Sequence, residues 1–290
     1  MKGVGLSKWG LMFNPRGLSS ISLNILKFPF LAYCMSNTTL FRDNIKGKKV
    51  LVLGSGPSAT EIDWINEDWD VLVTTSFFYL IPEILEQKPI HVTLSNIVDL
   101  EDKRLINYLD NNPHCTIGFE LEVSGSLGPT KVKFFSTPQY LNFEKKYEDR
   151  IINYRITRAY SLKESKKDKL EWGYSTLHEG VAGRLCWPIL SCKPKSITIC
   201  GIDGVSKKVS EDPPNYFRGH QGTPCFGHNN DSHQNPRSEH SYDNYKLDFE
   251  GFGEKLYRMG QKYNIPIYNL GKGKPYNMIT PISEMYEKSN

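Results

Sequence analysis

Hydrophobic positions along this chain gather into short, solid runs and only once into a long periodic stripe. Residues 50–53 (VLVL) run straight into glycine, 70–75 (DVLVTT) form a second run and 90–94 (IHVTL) a third. Runs of this length, rich in aliphatic and β-branched residues, suit strands covered on both faces, as parallel strands are. The stretches between them have the length of crossovers, so the pattern reads βαβαβ. Residues 115–121 and 131–136 read as further strands, parted by a turn around Gly128 and Pro129. Dense charge and tyrosine over 140–173 predict a solvated helical excursion. A glycine-led apolar segment at 180–190, shortened or kinked by Pro188, leads into a strand at 196–200 and repeats the helix-then-strand unit.

The long stripe comes late. Tyr245, Phe249, Phe252, Leu256, Met259 and Tyr263 recur at spacings of four and three, one face of an amphipathic helix that Gly251, Gly253 and Gly260 weaken without cancelling. A β-like run at 265–269 follows and returns the chain to the sheet. Before the stripe, residues 204–240 hold four prolines and almost no apolar periodicity, which is the composition of a lid or an irregular loop. The expected architecture is α/β: a Rossmann-like, doubly wound, mostly parallel sheet with a lid loop. An N-terminal arm (1–45), a nucleotide-binding catalytic domain (46–275) and a C-terminal tail (276–290) complete the expected organisation.

Composition narrows the class of partner. With 39% apolar, 12% aromatic and 23% charged residues, the chain belongs with folded globular proteins. Its net charge of +4 is small and its charges are interspersed, so no nucleic-acid footprint is expected, while a small anionic ligand is compatible. The six cysteines form no CxxC pair, which points away from a zinc site or a disulfide scaffold and toward a reducing, cytoplasmic compartment. Residues 21–35 are the most apolar stretch, but Lys27 and Pro29 interrupt it and it is too short to span a bilayer. An arm packing on the domain is expected there, with peripheral contact at the inner face of the membrane as the alternative.

The candidate chemistry begins at KKVLVLGSGPSATEID. A strand runs into Gly54, Ser55, Gly56, Pro57 and Ser58, and Ser58 with Glu61 spells the S-x-x-E pattern of a capping box. Glycines that allow close backbone approach, next to a helix start with free amides, predict an anion site. The alternative is a strand-to-helix turn that only needs glycine. The dinucleotide fingerprint's third glycine and the Lys-Ser/Thr of a P-loop are missing. Asp68-Trp69-Asp70 has the D-x-D form of a metal-binding motif, but it precedes a strand, so Asp70 reads as the residue leading into that strand. His220, His228, His233 and His240 cluster at spacings of eight, five and seven, which match no common zinc pattern; an exposed polar loop is the alternative, and no metal is expected.

In their order these motifs resemble the bacterial CMP-sialic acid sialyltransferases of glycosyltransferase family 42 and relatives that transfer other nonulosonic acids. The likeness is carried by the opening loop with S-x-x-E-I-D, by DVLVTT, HVTLSN and the KSITICGIDG run, and by NDSH followed by EHS, across residues 47–270. It implies the sialyltransferase variant of the doubly wound fold and a metal-independent enzyme without cofactor. That enzyme would move an acidic sugar from a CMP-activated donor to a glycan acceptor. Ser55 and Thr75 stand where the family has asparagines, and Asn96 matches a third. Gly201, Ile202 and Asp203 match the G-I-D turn at the cytidine end of the donor pocket. Tyr216, with Arg218 and the amides of Gly56 to Ser58, would hold the leaving phosphate, and His240 takes the general base's place. His233 would position the lid, and Arg237 would meet a carboxylate of donor or acceptor. The family's arginine before its S-G pair is replaced here by Thr176–Glu179. The run GKKVLVLGSGPS is also similar to archaeal pterin pyrophosphokinase-like proteins and flagellin-glycosylation proteins, which implies ATP or GTP with magnesium instead. A non-catalytic nucleotide-binding protein is the third reading.

Overall fold

The computed structural model describes residues 38–56, 58–94, 98–122, 137–156, 181–202, 256 and 258–271. In chain order these form α1 (Thr38–Ile45), β1 (Lys49–Leu53), α2 (Ser58–Glu61), β2 (Val71–Thr75), a 3-10 turn (Phe78–Leu80), α3 (Pro82–Glu86), β3 (His91–Leu94), α4 (Lys103–Asn111), β4 (Thr116–Glu122), α5 (Pro138–Tyr147), β5 (Ile151–Ile156), α6 (Val181–Ser191), β6 (Ser196–Cys200) and β7 (Ile267–Asn269). Residues 258–263 are helical as well. The strands make one seven-stranded sheet in the order β5-β4-β3-β2-β1-β6-β7. Every pairing in it is parallel.

The solid hydrophobic runs are explained by burial on both sides. Along β1, Val50 and Val52 face one core with Val71, Val73, Ile197, Ile199 and Ile267. Leu51 and Leu53 face the other with Leu72, Val92, Leu94, Ile117 and Phe119. The period of two therefore persists, but both faces are apolar. α1 and α6, with Leu256 and Met259, cover the first face. Residues of α2, α3, α4 and α5 cover the second. The chain thus steps from β1 to β5 with its crossover helices on one face. It then passes to the far side of β1 for β6 and β7 with helices on the other face, as a constant crossover hand demands. The strand order reverses between β1 and β6, the kind of switch point at which open α/β sheets in general take their ligands.

Local signals account for several boundaries. Pro82 and Pro138 each start a helix, where the missing N–H costs nothing. Thr137 caps α5 by accepting from the Tyr140 amide, and Asp102 caps α4 by accepting from Arg104. Gly260 is part of the helix because a Cβ there would lie 2.8 Å from the Ile265 carbonyl oxygen and 2.8 Å from Ile267 Cδ1. Its loss of helix propensity is offset by close packing of that helix on β7.

One expectation is corrected. Residues 140–173 contain the strand β5, paired along β4 from Ile117↔Ile151 to Glu122↔Ile156. The solvated excursion is also wrong for α5, which buries Tyr140, Phe143 and Tyr147 at helical spacing. Tyrosine concealed this stripe because its polar tip is served locally: the Tyr147 hydroxyl donates to Asp110 and that of Tyr140 to Glu144. Pro188 does not end α6, which continues to Ser191. Burial of Leu185, Cys186, Ile189 and Leu190 against the sheet outweighs the proline penalty of about 3 kcal/mol. The last eight residues of the expected N-terminal arm form α1, whose Phe41 and Ile45 are core residues. The expected strand 131–136, the lid 204–240, the tail 276–290, the stretch 21–35 and the stripe residues Tyr245, Phe249 and Phe252 lie outside the described residues. No helix among the described residues is long and apolar enough to cross a membrane.

Candidate functional site

The carboxyl ends of β1 and β6 meet at the switch point, and they do so through backbone. The ladder continues one residue past β1, where the Gly54 amide donates to the Cys200 carbonyl at 2.8 Å. The Gly56 amide then donates to the Gly201 carbonyl at 2.7 Å. In return the Gly201 amide donates to the Ser58 hydroxyl at 2.9 Å, across 143 residues of sequence. The Cys200 thiol donates to the Ser58 carbonyl at 3.7 Å.

This contact explains the glycines. A Cβ on Gly54 would stand 2.3 Å from the Gly201 carbonyl oxygen, and one on Gly201 would stand 2.4 Å from the Gly54 carbonyl oxygen. Gly201 also has φ +71°, a conformation that glycine adopts without strain. The first glycine of GSGPS is therefore required by packing against the G of GID. That requirement is invisible in either motif alone.

Two sequence expectations change here. Ser58 is the first residue of α2 rather than its cap, fully buried, and its hydroxyl accepts the Gly201 amide across the corner. The amide cradle expected from Gly56 to Ser58 is corrected at its first member, because the Gly56 N–H is taken by Gly201. α2 is also only 4 residues long, so its macrodipole adds little at this end. Ser55 and Gly56 are the half-exposed part of the corner, above buried Gly54.

Of the expected site residues, Gly54, Ser55, Gly56, Ser58, Thr75, Gly201 and Ile202 come together at the ends of the three adjacent strands β2, β1 and β6. Thr74 ties β2 to this edge through its hydroxyl, which donates to the Leu53 carbonyl at 3.1 Å. Pro57, Asn96, Asp203, Tyr216, Arg218, His233, Arg237 and His240 lie outside the described residues. Asp68 and Asp70 sit at the opposite end of the sheet. Asp70 accepts the Lys49 amide at 2.8 Å, and Asp68 pairs with the Lys49 ammonium at 2.6 Å, so both organise the start of β1. Among the described residues no group of His, Cys, Asp and Glu is gathered to hold a metal ion.

Three features escaped the sequence. Phe77, just past β2, is left-handed at φ 64° although it is bulky and aromatic, and its side chain is buried in the second core. No glycine or asparagine announces that turn. His91 is wholly buried on β3, edge-on to Phe41 at 4.4 Å, and burial pushes its pKa down to about 3. Its Nδ1 lies 2.7 Å from the Thr116 hydroxyl, which itself donates to the Ile90 carbonyl at 3.1 Å, so Nδ1 carries the proton of a neutral ring. Cys115, Cys186 and Cys192 are free and buried, and burial raises all three thiols, Cys115 and Cys192 to about 12. These thiols are inert packing groups at neutral pH.

Comparison with protein-family models and with curated proteins returns no match, so the functional reading rests on the chain's own residues.

Proposed function

We propose that this protein binds a nucleotide-activated substrate at the carboxyl ends of β1 and β6, above the corner where the two turns meet. It transfers an acidic sugar from a CMP-linked donor to a glycan acceptor. The observation that carries the reading is the meeting of GSGPS and GID at the switch point of a parallel sheet. This is the location at which open α/β sheets take their ligands. Two motifs that the resemblance assigns to the phosphate and to the cytidine of one donor are in direct contact, though they are far apart in sequence.

The corner offers backbone and small side chains. Gly54 and Gly201 carry no side chain, and half-exposed Ser55 and Gly56 form the rim that a ligand would meet first. The Ser55 hydroxyl suits a phosphate or ribose oxygen, and Thr75 closes the β2 side. In this reading His240, just ahead of the long periodic stripe, takes the proton of the acceptor hydroxyl as its oxygen attacks the anomeric carbon. The bond from that carbon to the phosphate oxygen breaks and CMP departs as an anion, with Tyr216, which the resemblance assigns to the leaving phosphate, and Arg218 as the groups that would meet that charge. Neither metal nor cofactor has a step to perform. The protein would work in the cytoplasm, with any membrane contact made through residues 21–35.

Calorimetric titration with CMP, a CMP-sugar, ATP and GTP, each with and without magnesium, tests the assignment. Binding of CMP without metal is expected. Magnesium-dependent binding of ATP or GTP alone would replace the reading with a pyrophosphokinase. Binding of CMP-sugar without turnover would make the chain a nucleotide-binding protein. Transfer by His240→Ala at the wild-type rate would remove that histidine from the base role.

A further inference from the structure

We infer that Ser58 is a positioning residue: its hydroxyl, by holding the Gly201 amide, sets the β6 turn against the β1 turn and so fixes the shape of the crevice. The inference deepens the nucleotide reading and rests on it. The sequence pattern offers Ser58 to a helix cap or to a phosphate; the geometry turns its hydroxyl to the Gly201 amide. The side chain is 0% exposed, so no ligand reaches it, and its oxygen stands 2.9 Å from the Gly201 nitrogen.

Gly201 is gripped from both ends. Its N–H goes to the Ser58 hydroxyl and its carbonyl takes the Gly56 N–H at 2.7 Å, while the Cys200 thiol reaches the Ser58 carbonyl at 3.7 Å. Every one of these bonds joins the β1 turn to the β6 turn. The reciprocal glycine contact leaves no room for either backbone to slide toward the other. Ile202, the next residue, is buried and continues the turn. Loss of the Ser58 hydroxyl would leave the Gly201 N–H buried without its acceptor, and a group in that state costs enough to shift local opening by roughly 10-fold or more. A turn freed at its first residue no longer presents a preformed half of the crevice, and affinity falls with the fraction of molecules that hold the competent shape.

The test uses the full chain and Ser58→Ala. Amide hydrogen exchange is followed at Gly201 and, as a reference for global opening, at Ile117, whose amide donates to the Arg150 carbonyl far along the sheet. Exchange at Gly201 should rise roughly 10-fold or more over any change at Ile117. CMP titration of the same two proteins should show affinity falling by a comparable factor. Equal acceleration at Gly201 and Ile117 would make Ser58 a merely structural residue, and unchanged Gly201 exchange would show that the hydroxyl holds nothing; either overturns the proposal. A local rise at Gly201 with unaltered CMP affinity would overturn it too. If the unaltered protein binds no CMP, the nucleotide reading fails and takes the ligand role of Ser58 with it. The exchange comparison still decides whether the hydroxyl fixes the turn.

Discussion

Replacing Gly54 by alanine is the most direct test of the corner. The new methyl would stand 2.3 Å from the Gly201 carbonyl oxygen, 2.9 Å from its carbonyl carbon and 2.9 Å from Ile202 Cγ1. Ordinary contact begins near 3.5 Å, so one turn must retreat by about 1 Å. The two Gly201 atoms belong to backbone, and no rotamer change relieves them. Retreat stretches the Gly54-to-Cys200 and Gly56-to-Gly201 bonds, now 2.8 and 2.7 Å. Overpacking costs about 1–3 kcal/mol and each weakened bond about 0.5–1.5 kcal/mol, while alanine returns about 0.4–1 kcal/mol by stiffening the unfolded chain. A net loss of about 1–6 kcal/mol follows. Urea unfolding read by tryptophan fluorescence measures it, and Trp64 reports on the corner because its indole N–H donates to the Ala59 carbonyl at 3.1 Å. Gly47→Ala is the control: φ there is +69°, but a Cβ meets nothing within 4 Å, so only the backbone penalty of about 1 kcal/mol applies. Equal costs for the two variants, or a cost below about 0.5 kcal/mol at Gly54, would refute the packing argument and return the glycine to a turn requirement.

Acid should weaken the fold through His91. Its folded pKa of about 3 lies below the ordinary 6.5, so the unfolded chain binds the extra proton. The contribution is whole above pH 6.5 and drains as pH falls toward 3, by about 1.4 kcal/mol per unit, or about 2 kcal/mol by pH 5. Urea midpoints at pH 7 and pH 5 should differ less in His91→Gln than in the unaltered protein, and equal differences would remove His91 from the acid response. Lys88 and Lys193 are exposed and left-handed at φ 50° and 57°, two residues past the ends of α3 and α6, where glycine is the natural terminator. Lys88→Gly should therefore raise unfolding stability by about 1 kcal/mol, and a loss of stability in urea would contradict the backbone account.

The sheet was legible because both of its faces are covered. Solid runs such as VLVL and SITIC need no partner to be recognised, and β6 falls on the residues that the pattern marks, 196–200. β5 failed the same test because only Ile151 and Ile152 lead it before Asn153, Tyr154 and Arg155 take over. It lies at the sheet's edge, where polar residues are tolerated. Tyrosine misled in the same way at α5, counting as polar in the pattern while its ring packs in the core. His91 was illegible for a related reason: its neutral state depends on Thr116 and Phe41, which approach it only in the folded sheet.

The corner shows a deeper limit. A glycine at the end of a strand has two sufficient causes, a ligand above it or a neighbouring backbone beside it, and a single motif does not separate them. Coordinates separate them by asking what a Cβ would strike. At Gly54 and Gly201 the answer is each other, so these two glycines explain how β1 and β6 close together without invoking any ligand. On the proposed function, ligand recognition would fall to the partly buried Ser55 and Gly56 above this contact, with buried Thr75 on the β2 side. Substitution of Ser55 should accordingly change nucleotide affinity with little change in stability, whereas substitution of Gly54 should change both together. Thermal unfolding beside CMP titration separates these two outcomes, and a Ser55→Ala protein with native affinity would move the binding surface away from this loop.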